Sequence, residues 1–391
     1  MAAPSRVKIL DVINTAASAK EILLYRVEAA NRYPHFENWI VCGPGAHVEL
    51  LRAHGIPVEV IDSPRGISLA YVSPLSTLKA FFKLLRFIRR EKFSIVHTHG
   101  TVQGVIGRLA AWLARTPVIV HVEHGQIYHE NQSPWERRLY ELIDWFMAHF
   151  TDHLLFENPY EQRYAIEHGL TGKAKIHFVG SGINLNDFDG RRGSGGRAPD
   201  KCIIANVARM DPIKNQMMLL RAVDRLRQTH TNFELWILGD GICRPELESF
   251  AAQRKLENYV RFFGYRDDVP ALLSQADIGV LTSIKEGIPR GVMEPMAMRL
   301  PVVATDVKGN RDVILDGITG FLVPLHDEAA LAGKLALLIE DPKLRLRMGE
   351  ASRRRIEENF DERDMIRRIL GVYLDLYPAP EHEPAVTGKR R

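Results

Sequence analysis

Cysteine is scarce in this chain: Cys42, Cys202 and Cys243 are the three in 391 residues, too few and too widely spaced for a disulfide framework or a zinc site. A reducing compartment suits such a sequence. Long apolar runs are missing as well, and nowhere does an uninterrupted apolar stretch approach the ~20 residues that a membrane-spanning helix needs. Met1 to Arg6 run straight into the strand-like Val7 to Ile13, without the charged and then apolar segments of an export signal, so export is not expected. Neither sign of charge dominates. The 52 basic and 48 acidic residues leave a formal +4, which gives no ground for a nucleic-acid partner. Solenoid repeats are also absent. These absences leave a cytoplasmic protein, soluble or resting on the inner face of the plasma membrane.

What is present is the composition of a folded enzyme-sized chain, with 46% apolar and 26% charged residues, and a length that exceeds one hydrophobic core. Short β-branched runs alternate with amphipathic helical segments almost from end to end, the pattern of parallel sheets covered by helices. The first half offers strands at Val7–Ile13, Trp39–Cys42, Val58–Ile61, Ile95–His97, Val118–Val122, His153–Phe156 and Ile176–Val179. The polar, Gly-rich run from Asn186 to Asp200 reads as a linker. Alternation restarts at Cys202–Val207, Glu234–Leu238, Val260–Phe263, Ile278–Leu281, Pro301–Ala304 and Phe321–Val323. The expected division is therefore an α/β domain over 1–185, a linker over 186–200, a second α/β domain over 201–360, a C-terminal helix over 361–378 packing back on the first domain, and a disordered tail over 379–391.

Ligands of open α/β sheets bind at the carboxyl ends of the strands, so the residues just beyond each strand carry the functional argument. Ala205 to Asn215 leaves a strand and enters a helix, placing Arg209 and Lys214 near a positive helix end. Two cations there suit a diphosphate, although surface charges such as Arg209 most often pair with a neighbour such as Asp211. Ser283 to Ala297 follows another strand and sets Glu286 before a Gly-Ile-Pro-Arg-Gly turn, with Glu294 about two helical turns on. Glu286 then stands where a sugar hydroxyl can be held, and Glu294 where it can accept from ribose hydroxyls. Leu238 to Gly241, Phe263 to Asp268 and Thr305 to Asp312 occupy the same place after their own strands.

Together these segments resemble glycosyltransferase family 4, of the GT-B fold with two Rossmann-like domains facing across a cleft, over nearly the whole chain. The likeness is most specific at the glutamate pair Glu286 and Glu294 and at the cations Arg209 and Lys214. It implies that Glu286 contacts the transferred sugar, Glu294 the ribose, Gly287 and Ile288 the donor through backbone amides, and that Gly239, Tyr265 and Arg266 border the nucleotide. In the first half, Val96 to Gly100 with Gly104 to Ala111, and Val122-Glu123-His124-Gly125, look like the members that build bacterial surface polysaccharides and lipid-linked glycans, with His124 as the active-site histidine. By itself a histidine after a strand is more often structural.

The resemblance implies a retaining, metal-independent hexosyl transfer from a nucleotide diphosphate sugar, UDP by default, to a saccharide or polyprenyl-linked acceptor, with Arg209 and Lys214 taking the place of a divalent ion. The Asp187-Phe-Asp189 match reads as solvated linker. Many members carry two glycines after the first strand, whereas here the loop is Asn14 to Lys20; Thr15, Ser18 or Lys20 could serve a phosphate or the acceptor there, and the plain alternative is a helix capped by Ser18. The helix Leu75 to Arg90 sets Leu75, Leu78, Phe82 and Leu85 on one face beside the basic Lys79, Lys83, Arg86 and Arg90. Such a helix either covers the sheet or rests on anionic lipid. A nucleotide-sugar epimerase of the same fold and a catalytically silent sugar-nucleotide binder are the competing readings; loss of the charged pairs would mark the latter, and here they are all present.

Overall fold

A computed structural model describes residues 6–62, 74–124, 132–189 and 201–378. The calls on Gly125, on the Gly-rich part of the linker from 190 to 200, and on the tail from 379 lie outside the described residues. The chain forms two compact units, one of residues 1–180 with 365–391 and the other of residues 181–364.

The first unit is built on β1 (Val7–Val12), β2 (Phe36–Cys42), β3 (Val58–Val60), β4 (Ile95–His99), β5 (Val118–Val122), β6 (His153–Phe156) and β7 (Lys175–Phe178), a parallel sheet in the order β3-β2-β1-β4-β5-β6-β7. Order reverses between β1 and β4, so that the loops leaving those strands diverge. Among the described residues, the helices connecting them are α1 (Ala16–Ala30), α2 (His47–Ala53), α3 (Pro74–Glu91), α4 (Thr101–Leu113), α5 (Pro134–Ala148) and α6 (Pro159–Glu167). Side-chain alternation along β1 sends Leu10 and Val12 into a core with Ala80, Leu84 and Ile88 of α3 and with Ile106 and Ala110 of α4. Ile9 of the same strand meets Ile366, Ile369 and Tyr373 of the C-terminal helix Glu362–Leu376.

The second unit repeats the plan with β8 (Cys202–Val207), β9 (Phe233–Leu238), β10 (Val260–Gly264), β11 (Ile278–Leu281), β12 (Val302–Thr305) and β13 (Gly320–Val323), parallel in the order β10-β9-β8-β11-β12-β13. Its helices are α7 (Gln216–Leu226), α8 (Arg244–Gln253), α9 (Val269–Leu273), α10 (Arg290–Ala297), α11 (Lys308–Val313), α12 (Glu328–Glu340) and α13 (Pro342–Asn359), after which α14 is the C-terminal helix. Every β8 residue from Cys202 to Asn206 is buried, as expected of a parallel strand covered on both faces.

Three local readings change. Helix α1 is capped by Thr15, whose hydroxyl accepts from the Ser18 amide at 3.0 Å, because Ser18 already lies in the first turn. Phe188 is buried in the core of the second unit, and its carbonyl accepts from Arg353, so the segment around Asp187 and Asp189 is anchored, with both carboxylates outside. In α3 the core takes Ala80, Leu84, Leu85, Phe87 and Ile88, while Leu75, Leu78 and Phe82 stay 65%, 52% and 57% exposed.

Deep in the first unit lies a charged contact. Asp11, on the same face of β1 as Ile9, is fully buried and accepts from Nη2 of the equally buried Arg26 of α1. Arg26 Nη1 donates to the Tyr373 hydroxyl at 3.1 Å, which ties α14 to the centre of the sheet. Burial pushes the Asp11 carboxyl up, but Arg26 and the His99 hydrogen bond more than offset this and hold it below the usual aspartate range. Breaking a buried pair by deleting one partner strands the other charge, a loss of about 3–5 kcal/mol. Arg26→Met is therefore expected to destabilise the first unit by roughly that much in urea denaturation followed by tryptophan fluorescence, and Asp11→Leu/Arg26→Met to recover a large part of it.

Candidate active site

In the second unit, strand order reverses between β8 and β11, and the segments leaving these two strands are stitched together. After β8 the chain reaches Asp211, whose carboxylate caps a single 3-10 turn, Pro212–Lys214, by accepting from the Ile213 and Lys214 amides at 3.1 and 3.2 Å. Asn215 then takes a left-handed conformation with φ of 49°, which reverses the chain into α7. The Ile284 amide donates to the Ile213 carbonyl at 2.8 Å, and the Thr282 hydroxyl donates to the Lys214 and Asn215 carbonyls. This scaffold aims the Lys214 ammonium at Glu286, with Nζ and Oε1 2.6 Å apart.

Lys214 and Glu286 are thus brought together across the switch point, with side chains only 20% and 9% exposed. Each satisfies the other's charge, yet both stand where an incoming ligand can exchange them: the ammonium toward phosphate oxygens, the carboxylate toward sugar hydroxyls. Arg209 instead pairs with Asp211 at 2.9 Å and keeps its side chain 65% exposed, the ordinary surface arrangement weighed for it above. Glu294 is buried in α10 and accepts from Arg290 Nε at 3.1 Å. Burial pushes the nearby Glu362 up to about 7, against the pull of the same Arg290.

The Gly287–Ile288 backbone is held by close packing. A Cβ on Gly309 of α11 would stand 2.0 Å from the Gly287 carbonyl oxygen and 2.5 Å from that of Glu286. One on Gly291, in the first turn of α10, would meet the Val207 carbonyl at 2.4 Å. Gly239 follows β9 at φ of 140°, a conformation open to glycine, with its amide on the Gly264 carbonyl at 2.8 Å. Tyr265 and Arg266 follow β10, two strands out from β8, where Arg266 forms a two-bond contact with Asp268. All the predicted residues of this unit therefore occupy one sheet edge, and the direct pairing is between Lys214 and Glu286.

In the first unit, His124 follows β5 by two residues. Its Nδ1 lies 2.9 Å from Glu157 Oε1, beyond β6, and its Nε2 lies 2.9 Å from Nδ1 of His99 at the end of β4. His99 Nε2 lies 2.9 Å from Asp11 Oδ1 on β1. Sequence reasoning singled out His124 but not its neighbours Asp11, Arg26, Glu157 and Tyr373, although the His97-Thr98-His99 alternation on a strand was a visible sign of two imidazoles on one face. Helix α4 approaches this edge closely: a Cβ on Gly104 would fall 2.5 Å from the His121 ring, and one on Gly107 equally near the Thr98 methyl. Asp11, His97 and His99 place ligand-type atoms within 4.8 Å of one another. Arg26 already neutralises the Asp11 carboxylate, however, and a divalent cation would have to sit against that guanidinium.

Behind β5 and β6 is a cavity of about 60 Å³ lined by Arg108, His121, Glu123 and Asp144 above Leu154, Leu155 and Leu170. Burial, with Asp144 adding to it, pushes the Glu123 carboxyl up to about 8.

Comparison with known proteins covers both units. The family described as "Glycosyl transferases group 1" matches residues 187–355, and "Glycosyl transferase 4-like domain" matches residues 34–182. UDP-Gal:alpha-D-GlcNAc-diphosphoundecaprenol alpha-1,3-galactosyltransferase of Escherichia coli is 25% identical over 315 residues, 78% of this chain and 81% of that protein. Putative glycosyltransferase EpsD of Bacillus subtilis is 29% identical over 310 residues, 76% and 80% of the two chains. Among solved structures, Anabaena HepE in complex with UDP and glucose superposes with a TM-score of 0.77 at 21% identity, covering 95% of this chain and 100% of that one. At that identity the likeness speaks for the fold.

Because Gly309 sets the backbone of Glu286 and Gly287, Gly309→Ala forces that loop to move. The expected outcome is a destabilisation of the second unit by about 1–3 kcal/mol from overpacking in urea denaturation, whereas Gly333→Ala, on α12 with open space around an added Cβ, causes no such loss.

Proposed function

The chain belongs to the group 1 glycosyltransferases of the GT-B fold, and from that premise we propose that it transfers a hexose, with retention and without a metal, from a UDP-sugar to a saccharide or lipid-linked acceptor in glycan assembly. The Lys214–Glu286 contact at the switch point carries this reading. Cleavage of a sugar–phosphate bond builds negative charge on the departing diphosphate and positive charge on the ring. A preset ammonium and the first turn of α10 stabilise the former, and Glu286 holds the sugar that bears the latter. Arg209, exposed and paired with Asp211 at the surface, reaches the diphosphate from the β8 side. Glu294 takes the ribose, Gly287 and Ile288 offer amides to the donor, and Gly239, Tyr265 and Arg266 border the base. With two cations supplied by side chains, the diphosphate needs no divalent ion to leave.

The acceptor class rests on two supports. One named relative acts on a diphosphoundecaprenol-linked sugar, and α3 exposes Leu75, Leu78 and Phe82 alongside Lys79, Lys83, Arg86 and Arg90. No helix among the described residues is long and apolar enough to cross a membrane. An amphipathic helix of this kind lies in the interface, where each basic residue contributes about 1 kcal/mol toward anionic lipid. We place the enzyme on the inner face of the plasma membrane through α3.

With a panel of nucleotide sugars and lipid-extract acceptors read by mass spectrometry, nucleotide diphosphate should appear only when an acceptor is present and should persist in excess EDTA. Lys214→Ala and Glu286→Ala should each lower kcat/KM by about 100-fold or more with unchanged unfolding midpoints; wild-type turnover in either would reject the site. Separately, Leu78→Ser/Phe82→Ser and Lys79→Glu/Lys83→Glu should each reduce co-sedimentation with phosphatidylglycerol vesicles about tenfold or more while leaving turnover of a water-soluble acceptor intact.

A further inference from the structure

Four neighbouring strands each contribute one side chain to a single line of hydrogen bonds across the sheet edge: Asp11 from β1, His99 from β4, His124 from beyond β5 and Glu157 from beyond β6. The proton count of this line is fixed by its ends. A carboxylate only accepts, so the imidazole nitrogens facing Asp11 and Glu157 must both carry hydrogen. The contact between the two rings needs one further N–H. Three hydrogen bonds thus require three protons on two rings, one more than two neutral imidazoles hold.

We infer that His99 and His124 share one surplus proton and form a fixed cation, with Asp11, His99 and Glu157 as positioning residues that keep His124 charged and deny it the role of a general base. The rings are parallel to within 1°, which aligns donor and acceptor between them. Both nitrogens of His124 are committed inside the unit, so neither is free to take a proton from an acceptor hydroxyl. What the site offers instead is the His124 imidazolium, which reaches the surface at 19% exposure and suits an anionic group such as a phosphate.

The surroundings place the surplus proton on His124. Burial drives His99 down to about 4 despite its bond to Asp11. Burial also disfavours charge on His124, but the Glu157 carboxylate 2.9 Å from its Nδ1 leads the groups that outweigh it and raise His124 above the ordinary histidine value. Among the described residues, the other groups facing the pair are engaged elsewhere. Arg26 of α1 neutralises Asp11, and His97, beside His99 on β4, is buried and driven well below its ordinary value, its Nδ1 2.6 Å from the hydroxyl of Tyr373 on α14. His121 on β5 is likewise neutral, bonded to Thr98. A second proton on the pair would meet the first across one hydrogen bond, so one charge is the stable number.

The inference rests on the transferase reading for its consequence but not for its test. In nitrogen-15 NMR of the full chain at pH 7, with signals assigned through His124→Asn and His99→Asn, both ring nitrogens of His124 should be protonated and Nδ1 of His99 should not. A His124 with one bare nitrogen at pH 7 would overturn the proposal whether or not any sugar is transferred. The sign of the pH profile provides a second readout. A fixed cation whose pKa is raised is present at low pH and lost as pH rises, so kcat/KM should be level through neutrality and fall on the alkaline side; a general base would instead give a rate that climbs through pH 6–7. Glu157→Gln keeps the hydrogen bond and removes the charge that holds the proton, so it should bring the alkaline fall at least about one pH unit lower, a loss of about tenfold at pH 8.5 and about twofold or less at pH 6. Coincident profiles for wild type and Glu157→Gln would count against the charge.

Discussion

The first unit is organised around a carboxylate that has no access to water. Asp11 sits on the central strand of a parallel sheet, where an unpaired charge would drive the strand apart from its neighbours or force the group to take a proton. Arg26 resolves this from α1, but a buried guanidinium carries five donors and needs partners of its own. Tyr373 supplies one, and its hydroxyl also lies 2.6 Å from His97 Nδ1. The side chain that solves the electrostatic problem of β1 therefore also fixes where the last helix of the chain must dock. Order spreads outward from one charge because each group that satisfies it has to be satisfied in turn.

The two units share a device. In each, an acid and a base meet across the point where strand order reverses: Asp11 with His99 in the first, Glu286 with Lys214 in the second. A parallel sheet makes this possible, because loops leaving the two central strands turn to opposite faces and leave a crevice between their ends. Solvent access decides what each contact is for. Asp11 and His99 are enclosed, so their contact is permanent and acts through what it holds, His124. Lys214 and Glu286 keep some exposure, so theirs can be traded for contacts to a ligand. Glycine sharpens both edges, Gly104 and Gly107 letting α4 press on β4 and β5, and Gly291 and Gly309 clamping the segment around Glu286 between β8 and α11.

Much of this was readable in the chain. Parallel strands buried on both faces are short continuous apolar runs, and Val118–Val122, His153–Phe156, Cys202–Val207 and Ile278–Leu281 have the same limits in the sequence reading and in the structure. The candidate residues of the second unit could be picked out because they sit in the segments that follow β8, β9, β10 and β11. The first unit's site defied that logic. Asp11 lies inside an apolar strand and Arg26 on the inner face of a helix, where patterning expects neither, and Tyr373 is separated from Arg26 by 347 residues. Charges that neutralise one another leave no trace in periodicity, since each looks like an exception until its partner is found. The capping alternative weighed for Ser18 falls to Thr15, three residues earlier, because Ser18 lies inside the first turn of α1.

Helix α5 shows why burial follows the partner rather than the residue type. Trp135, Leu139, Leu142 and Phe146 recur at helical spacing and would ordinarily define the inner face, yet all four are exposed, with Trp145 beside them. Facing inward are Glu141, which accepts from the Tyr164 hydroxyl at 2.6 Å, and Asp144, which lines the cavity with Arg108, His121 and Glu123. Glu141 thus supplies a partner to the buried Tyr164 hydroxyl, since polar groups placed inside must be satisfied by facing elements. The apolar residues that α5 does bury are Met147 and Ala148 at its C-terminal end.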